Sequence, residues 1–336
     1  MLAPYAERAP VNAVIAEEIR RSLTLDPENV DASMAEFFRL DPFGDFLGQH
    51  AVIQHLQRIG QNSAEALAMA AFHFGTVGRA REAAASAANG KALDPLSSLA
   101  NAVHGASLWR SGQIETGRAA LHRAAEIWPD DHNIASVYLM ACAHAQDWAA
   151  VDRLIDPVRL ERYPLREAQR TVRWVETLRD PTPEKRQQYF ETFARQTRST
   201  GHIDARGLTF LASLDFVDEA FELFDRAKLG PSGGPKDALG NFAYRTPLLF
   251  MAAYPQQRAD LRFVKLCARL GLVEYWLETQ QWPDCADEVP YDFRGAPISP
   301  RPVARRAAVP LAASGCGRIR LRCPTSQRSF SFTEAL

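Results

Sequence analysis

Proline, glycine and a small residue recur along this 336-residue chain at a shared spacing. Pro95 and Pro129 lie 34 residues apart, as do Gly44, Gly78 and Gly112 in turn, and Ala71 with Gly105; Pro27 precedes Pro95 by two such intervals. A period of that length marks one supersecondary unit repeated, each copy burying its apolar face against its neighbours. It predicts an all-α chain of stacked helix pairs. It also predicts a protein that works by holding another molecule.

Laid over one another, windows beginning at Val30, Ala64, Ser98 and His132 agree at several places. A small residue stands at the eighth place (Ala71, Gly105), glycine at the fifteenth (Gly78, Gly112) and proline at the thirty-second (Pro95, Pro129). The small residue lets two helices approach closely. Glycine takes the positive φ of a tight interhelix turn. Proline, lacking an amide donor and restricting the residue before it, ends the second helix.

This pattern resembles the tetratricopeptide repeat (TPR), a helix-turn-helix unit of the same length. The resemblance implies a right-handed α-solenoid, clear over about residues 10 to 165 and looser to 235, with Ala64 to Asp131 its most specific part. Gln61 stands where a closing proline is expected, and Pro164 falls one place late. The windows near Arg166 and Gly201 keep helix pairing but few signature residues, with breaks at Asp180-Pro181-Thr182-Pro183 and Leu214-Asp215. The expected division is an incomplete N-terminal repeat (1–29), TPR-like repeats (30–165), degenerate repeats (166–239), a C-terminal helical cap (240–291) and a disordered basic tail (292–336).

Apolar content of 46% is that of a globular chain, and a solenoid of this length needs no split into separate cores. No apolar run approaches the ~18 residues of a membrane helix, so no membrane is expected. Met1–Pro10 lacks the apolar core of a signal peptide, and five cysteines at irregular spacing make no disulfide framework. A cytoplasmic protein is expected, with Cys142 and Cys267 as buried thiols. Arginine outnumbers lysine 34 to 5 and alanine is abundant, as in a GC-rich bacterial genome.

The segment Val11–Leu25 places Val14, Ile15, Ile19 and Leu23 close to one helical face and ends at Asp26-Pro27 in register with the later repeats. It reads as the second helix of a unit. Either the chain is the later part of a longer, truncated regulator, or Met1–Pro10 folds back as a cap.

Farther on, Phe263, Leu266, Leu270 and Val273 follow helical spacing, Gly271 is a joint, and Tyr275-Trp276 and Trp282-Pro283-Asp284-Cys285 close the module. This ending is similar to the C-terminal end of TPR regions attached to bacterial winged-helix regulators or class III nucleotide cyclases, whose output domains have no room here. Its aromatics are expected to cover the last helix pair. From Phe293 onward come eight arginines, one acidic residue and several prolines. That tail is either a nucleic-acid contact or an unselected extension, and the absence of interleaved aromatics favours the extension.

Catalytic signatures are missing: no H-E-x-x-H, no paired C-x-x-C and no G-x-S-x-G elbow. Gly230–Lys236 is glycine-rich, but its prolines remove amides a phosphate cradle needs. Histidines 73, 104, 122 and 144 fall at four different repeat places, and Asp218, Glu222 and Asp225 form an acidic helix face expected to be solvated. No enzyme activity, cofactor or metal is expected.

A partner is expected instead: a protein or peptide segment, with nucleic acid as the alternative through the tail. In TPR proteins the concave groove is lined by places two, five, nine, twelve and thirteen of the first helices. Carried onto this chain, these are Glu65, Ala68, Phe72 and Thr76; Leu99, Ala102, Ala106, Trp109 and Arg110; and Asn133, Ser136, Met140 and His144. The resemblance makes Phe72, Thr76, Trp109, Arg110, Asn133, Met140 and His144 the partner-binding set. Trp109 has a second reading, packed between adjacent units. The groove lacks the cluster of cations that would clamp a peptide carboxylate.

Overall fold

A computed structural model describes residues 5–40, 45–160, 165–229 and 246–296. Its first half runs α1 (Tyr5–Leu25), α2 (Val30–Arg39), α3 (Phe46–Ile59), α4 (Ala64–Thr76), α5 (Ala80–Leu93), α6 (Ser98–Arg110), α7 (Ile114–Ile127), α8 (His132–His144) and α9 (Trp148–Leu154). The four windows read from the sequence begin on the first residues of α2, α4, α6 and α8. The second helices keep the same interval, starting at Phe46, Ala80, Ile114 and Trp148. Each helix packs on the next, and α2, α4, α6 and α8 also pack in series on one another. Outside its helices, the described chain has one two-residue parallel pair, β1 (His202–Ile203) with β2 (Lys228–Leu229). The fold is all-α and repeat-like.

Three local causes set this register. Asn29, Ser63, Ser97 and Asp131, spaced 34 apart, each cap a first helix by accepting the N–H three residues on, from Ala32, Ala66, Ala100 and Ile134. Such caps satisfy amides that the helix itself leaves free. At the interhelix turn Gly78 and Gly112 have φ of 88° and 93°. The same place in the fourth window is held by Gln146 at φ 56°, and later by Asp215 at 69°, so the turn outlasts its glycine. Third, a Cβ on Gly105 would lie 2.8 Å from Leu121 Cγ, which is why this place must be small. The turn at Gly44 and the late Pro164 lie outside the described residues.

After α10 (Pro157–Leu160) come α11 (Leu165–Arg179), α12 (Pro183–Thr200), α13 (Ala205–Ala212) and α14 (Val217–Arg226). Pro183 starts 35 residues after Trp148, and Val217 follows Pro183 by 34. The second helices thus carry the one-place slip seen at Pro164, while the first helices, starting at Leu165 and Ala205, do not keep the interval. A buried ion pair, Arg170–Asp204, holds α11 to the start of α13. Burial alone would raise the Asp204 carboxyl; Arg170 and Arg206 beside it hold it below its ordinary value.

The C-terminal module departs from expectation. It consists of 3₁₀ turns at Thr246–Phe250, Gln256–Ala259 and Asp284–Asp287, with α15 (Arg262–Leu270) and α16 (Leu272–Thr279). Side chains of α15 reach α14. There the acidic residues of α14 are largely exposed, as expected, with Asp218 paired with Arg262 and Asp225 with Arg269, while Arg262 also lies over the Phe221 ring. The expectation that Tyr275, Trp276 and Trp282 belong to that same contact is corrected. Trp276 Nε1 donates to Val77 O (2.9 Å), Asp284 N donates to Gly78 O (2.9 Å), and the Tyr275 ring packs on His50 and His73. Arg81 closes the contact by pairing with Glu288 at 2.7 Å. The module therefore joins residues about 200 positions apart in the chain.

One apolar core consequently includes Phe46, Val77 and Trp109 from the early windows together with Leu249, Met251, Phe263 and Trp276. A second, Phe37, Ile53, Leu56, Met69 and Ala83 among its members, stays within the first windows. Phe293 and Arg294, counted with the tail from sequence, belong to the module: Phe293 is buried against Trp276, and Arg294 pairs with Asp287 beneath Trp282. The rest of the tail, 297–336, and the Gly230–Lys236 loop lie outside the described residues. In α1, Ile19 is buried while Val14 and Ile15 are exposed. Cys142 and Cys267 are buried free thiols, as is Cys285.

Candidate functional site

The face formed by α4, α6 and α8 is divided in two. Toward the C-terminal ends of these helices it is occupied by the chain's own segment 246–254. Thr246 Oγ1 donates to Thr76 O, Ala252 N donates to Arg110 O (3.1 Å), and the Tyr254 ring meets His144 edge-on at 5.2 Å. The segment continues onto the later helices, where Thr209 Oγ1 donates to Leu248 O and Tyr254 packs on Trp174. Its contacts satisfy carbonyls at the ends of α4 and α6 that have no acceptor role within their own helices.

This placement sorts the sequence-predicted groove residues. Thr76, Trp109 and Met140 are buried, and His144, which is half-buried, sits under Tyr254. Trp109 has no exposed surface and touches His144 at 6.3 Å between ring centroids. It takes the packing role that stood as its second reading. Gly117 permits this, since a Cβ there would come within 2.4 Å of Trp109 N. Phe72, Arg110 and Asn133 are brought together elsewhere on the same face. Glu65 is exposed, Ala68 is buried, and Ser136 is half-buried away from the cavity described next.

Toward the N-terminal ends the face is open and holds a cavity of about 470 Å³. Phe72 of α4, Leu99, Ala102, Ala106 and Arg110 of α6, and Asn133 and Val137 of α8 line it; the turn Ile127–Asp131 forms a lip. The floor is wide because α6 presents alanines at two successive turns, Ala102 and Ala106, toward it. Four of the five groove places assigned in the third window thus line one concavity; the fifth, Trp109, faces the core.

The electrostatics of the cavity are uneven. Arg110 Nε is inaccessible and has no hydrogen-bond partner, while the residue as a whole is partly exposed. Burial pushes its pKa down to about 10. Asp131 lies on the opposite lip with one carboxylate oxygen committed to the amides of Asn133 and Ile134. Sequence reasoning named Arg110 but had no signal for its unpartnered Nε. It missed Val103, Val137 and Trp128, which lie outside the places carried over, and the segment 246–254, which no repeat pattern could bring back to the groove.

No group of three or more His, Cys, Asp or Glu side chains is placed to hold a metal among the described residues. No helix among them is long and apolar enough to cross a membrane. No protein-family model matches the chain. No curated protein matches its sequence either.

Proposed function

We propose that this chain is a right-handed α-solenoid of TPR-like repeats that acts, without catalysis of its own, as a cytoplasmic scaffold holding a protein or peptide segment on its concave face. One observation carries the reading. Four of the five third-window places expected in such a groove, with Phe72 and Asn133 from the adjoining windows, line one open concavity. The binding set is accordingly narrowed to Phe72, Leu99, Ala106, Arg110 and Asn133. Thr76 and His144 contact segment 246–254, and Trp109 and Met140 are buried. Binding energy tends to concentrate where an aromatic or arginine side chain is desolvated in a pocket, and Phe72 and Arg110 occupy that position.

A photo-crosslinking residue at Leu99 or Asn133 tests this directly, with Arg123, exposed on α7, as the control. The reading predicts a defined protein adduct from the first two positions and none from Arg123. Adducts only from Arg123, or none from any position, would refute it.

A further inference from the structure

In the first windows a second helix packs between its own first helix and the next one: α3 between α2 and α4, α5 between α4 and α6, α7 between α6 and α8. Helix α1 stands in the same series and packs on α2, but among the described residues no first helix precedes it. The place that such a helix would cover can be followed along the chain. Gln49, Ala83 and Val151 are fully buried there, and Gly117 lies against the Trp109 backbone of α6. Thirty-four residues before Gln49 the same place is held by Ile15, which is 45% exposed. Val14 and Leu25, on the same side of α1, are 63% and 79% exposed.

This bare side carries a pattern. Val14, Glu18, Arg21 and Leu25 are all exposed and lie four, three and four residues apart, which is one stripe of a helix. Glu17 and Arg20 pair with each other off that stripe. The stripe has apolar ends and opposite charges in its middle, so read backwards it complements itself. An antiparallel copy sets Val14 against Leu25 and Glu18 against Arg21, and twofold symmetry makes each contact occur twice. A parallel copy would set Glu18 against Glu18 and Arg21 against Arg21, a repulsive register.

We propose that α1 is a self-association surface, through which two copies of this chain pair antiparallel along Val14, Glu18, Arg21 and Leu25, with Ile15 covered at the edge. Each copy then supplies the other with the helix that α3, α5 and α7 receive from their own windows. The stripe spans only about three helical turns, so the dimer is weak, with a Kd of about 10–100 µM. This goes beyond the scaffold role and holds whether or not a protein segment uses the concave face.

Sedimentation equilibrium of the full chain tests it. A reversible monomer–dimer equilibrium is expected. Glu18→Arg turns two attractive pairs into two repulsive ones and should weaken the dimer by about 10-fold. Adding Arg21→Glu to it exchanges the charges and should restore the affinity to within about 3-fold. Val14→Asp with Leu25→Asp should abolish the dimer. All four side chains are exposed, so circular dichroism of each variant should match that of the unaltered chain. A chain that stays monomeric at about 200 µM overturns the proposal and leaves the bare side to a helix of another protein. It is equally overturned if the dimer persists undiminished in Glu18→Arg or in the double aspartate variant, or if exchanging the charges fails to restore it.

Discussion

Gly78 and Gly112 occupy the same place in adjoining windows, with φ of 88° and 93°, so alanine at either meets the same backbone strain. For an L-residue in the left-handed region that strain costs about 1–2 kcal/mol. The two differ in what their new Cβ would touch. At Gly112 it meets only Ala252 Cβ, at 3.6 Å, an ordinary contact. At Gly78 it would lie 2.6 Å from Pro283 Cβ and 2.9 Å from the Phe250 ring, both in the C-terminal module. Forcing an extra carbon into such a contact adds about 1–3 kcal/mol. The Trp276–Val77 and Asp284–Gly78 hydrogen bonds beside it would be strained as well. Gly78→Ala should therefore destabilise the chain by about 2–5 kcal/mol, against about 1–2 for Gly112→Ala. Urea unfolding of the two variants measures the difference at constant slope. Because the strain cancels between them, the excess at Gly78 reports the module seated on that turn. Equal losses, within about 0.5 kcal/mol of each other, would refute the docking of residues 246–293 onto the second window.

Trp109→Ala should cost about 3–5 kcal/mol in unfolding experiments, since a fully buried indole leaves a cavity rather than a vacant binding surface. Asp204→Asn removes the carboxylate that pairs with Arg170 in the interior and should cost about 3–5 kcal/mol, read by the same urea curves. His50 and His144 lie between repeats and module, and each is lowered from its ordinary value of 6.5, His50 by burial and then by Arg79, His144 by burial. Both are neutral in the fold and take up protons more readily when unfolded. Their stabilisation is present above pH 6.5 and is lost as pH falls below it toward the folded values. Urea midpoints should drop between about pH 7.5 and about pH 5.5, and drop less in His50→Gln/His144→Gln.

How much of this was legible in the sequence depends on whether a feature is local. Helix starts at Ala64, Ser98 and His132 follow from short-range chemistry: a capping side chain one residue before, a small residue at the close approach, a turn residue that tolerates positive φ. The capping series Asn29, Ser63, Ser97, Asp131 could have been read as a further periodic signal. It marks the first window more clearly than the prolines, because Gln61 breaks their series. The turns at Gln146 and Asp215 show the limit of residue matching: the backbone keeps its left-handed conformation after the glycine is gone. The return of Thr246–Tyr254 and Tyr275–Asp284 to the early windows was not legible. It rests on side chains such as Trp276 finding carbonyls about 200 residues away, and neighbour-to-neighbour stacking gives no indication of it. The same contact explains why only part of the expected groove is open. Places twelve and thirteen fall at helix ends, where the module lies, and of these only Arg110 lines the cavity, together with places two, five and nine of α6.

Site-resolved hydrogen exchange in the full chain tests that division most directly. The amides of Ala252 and Asp284 lie outside the α-helices, yet they donate to Arg110 O and Gly78 O. If the module closes the far half of the face, both should exchange as slowly as amides within α4 and α6. Exchange at the rate of an unstructured loop would mean the whole face is open, and would contradict the account of which half remains for a partner.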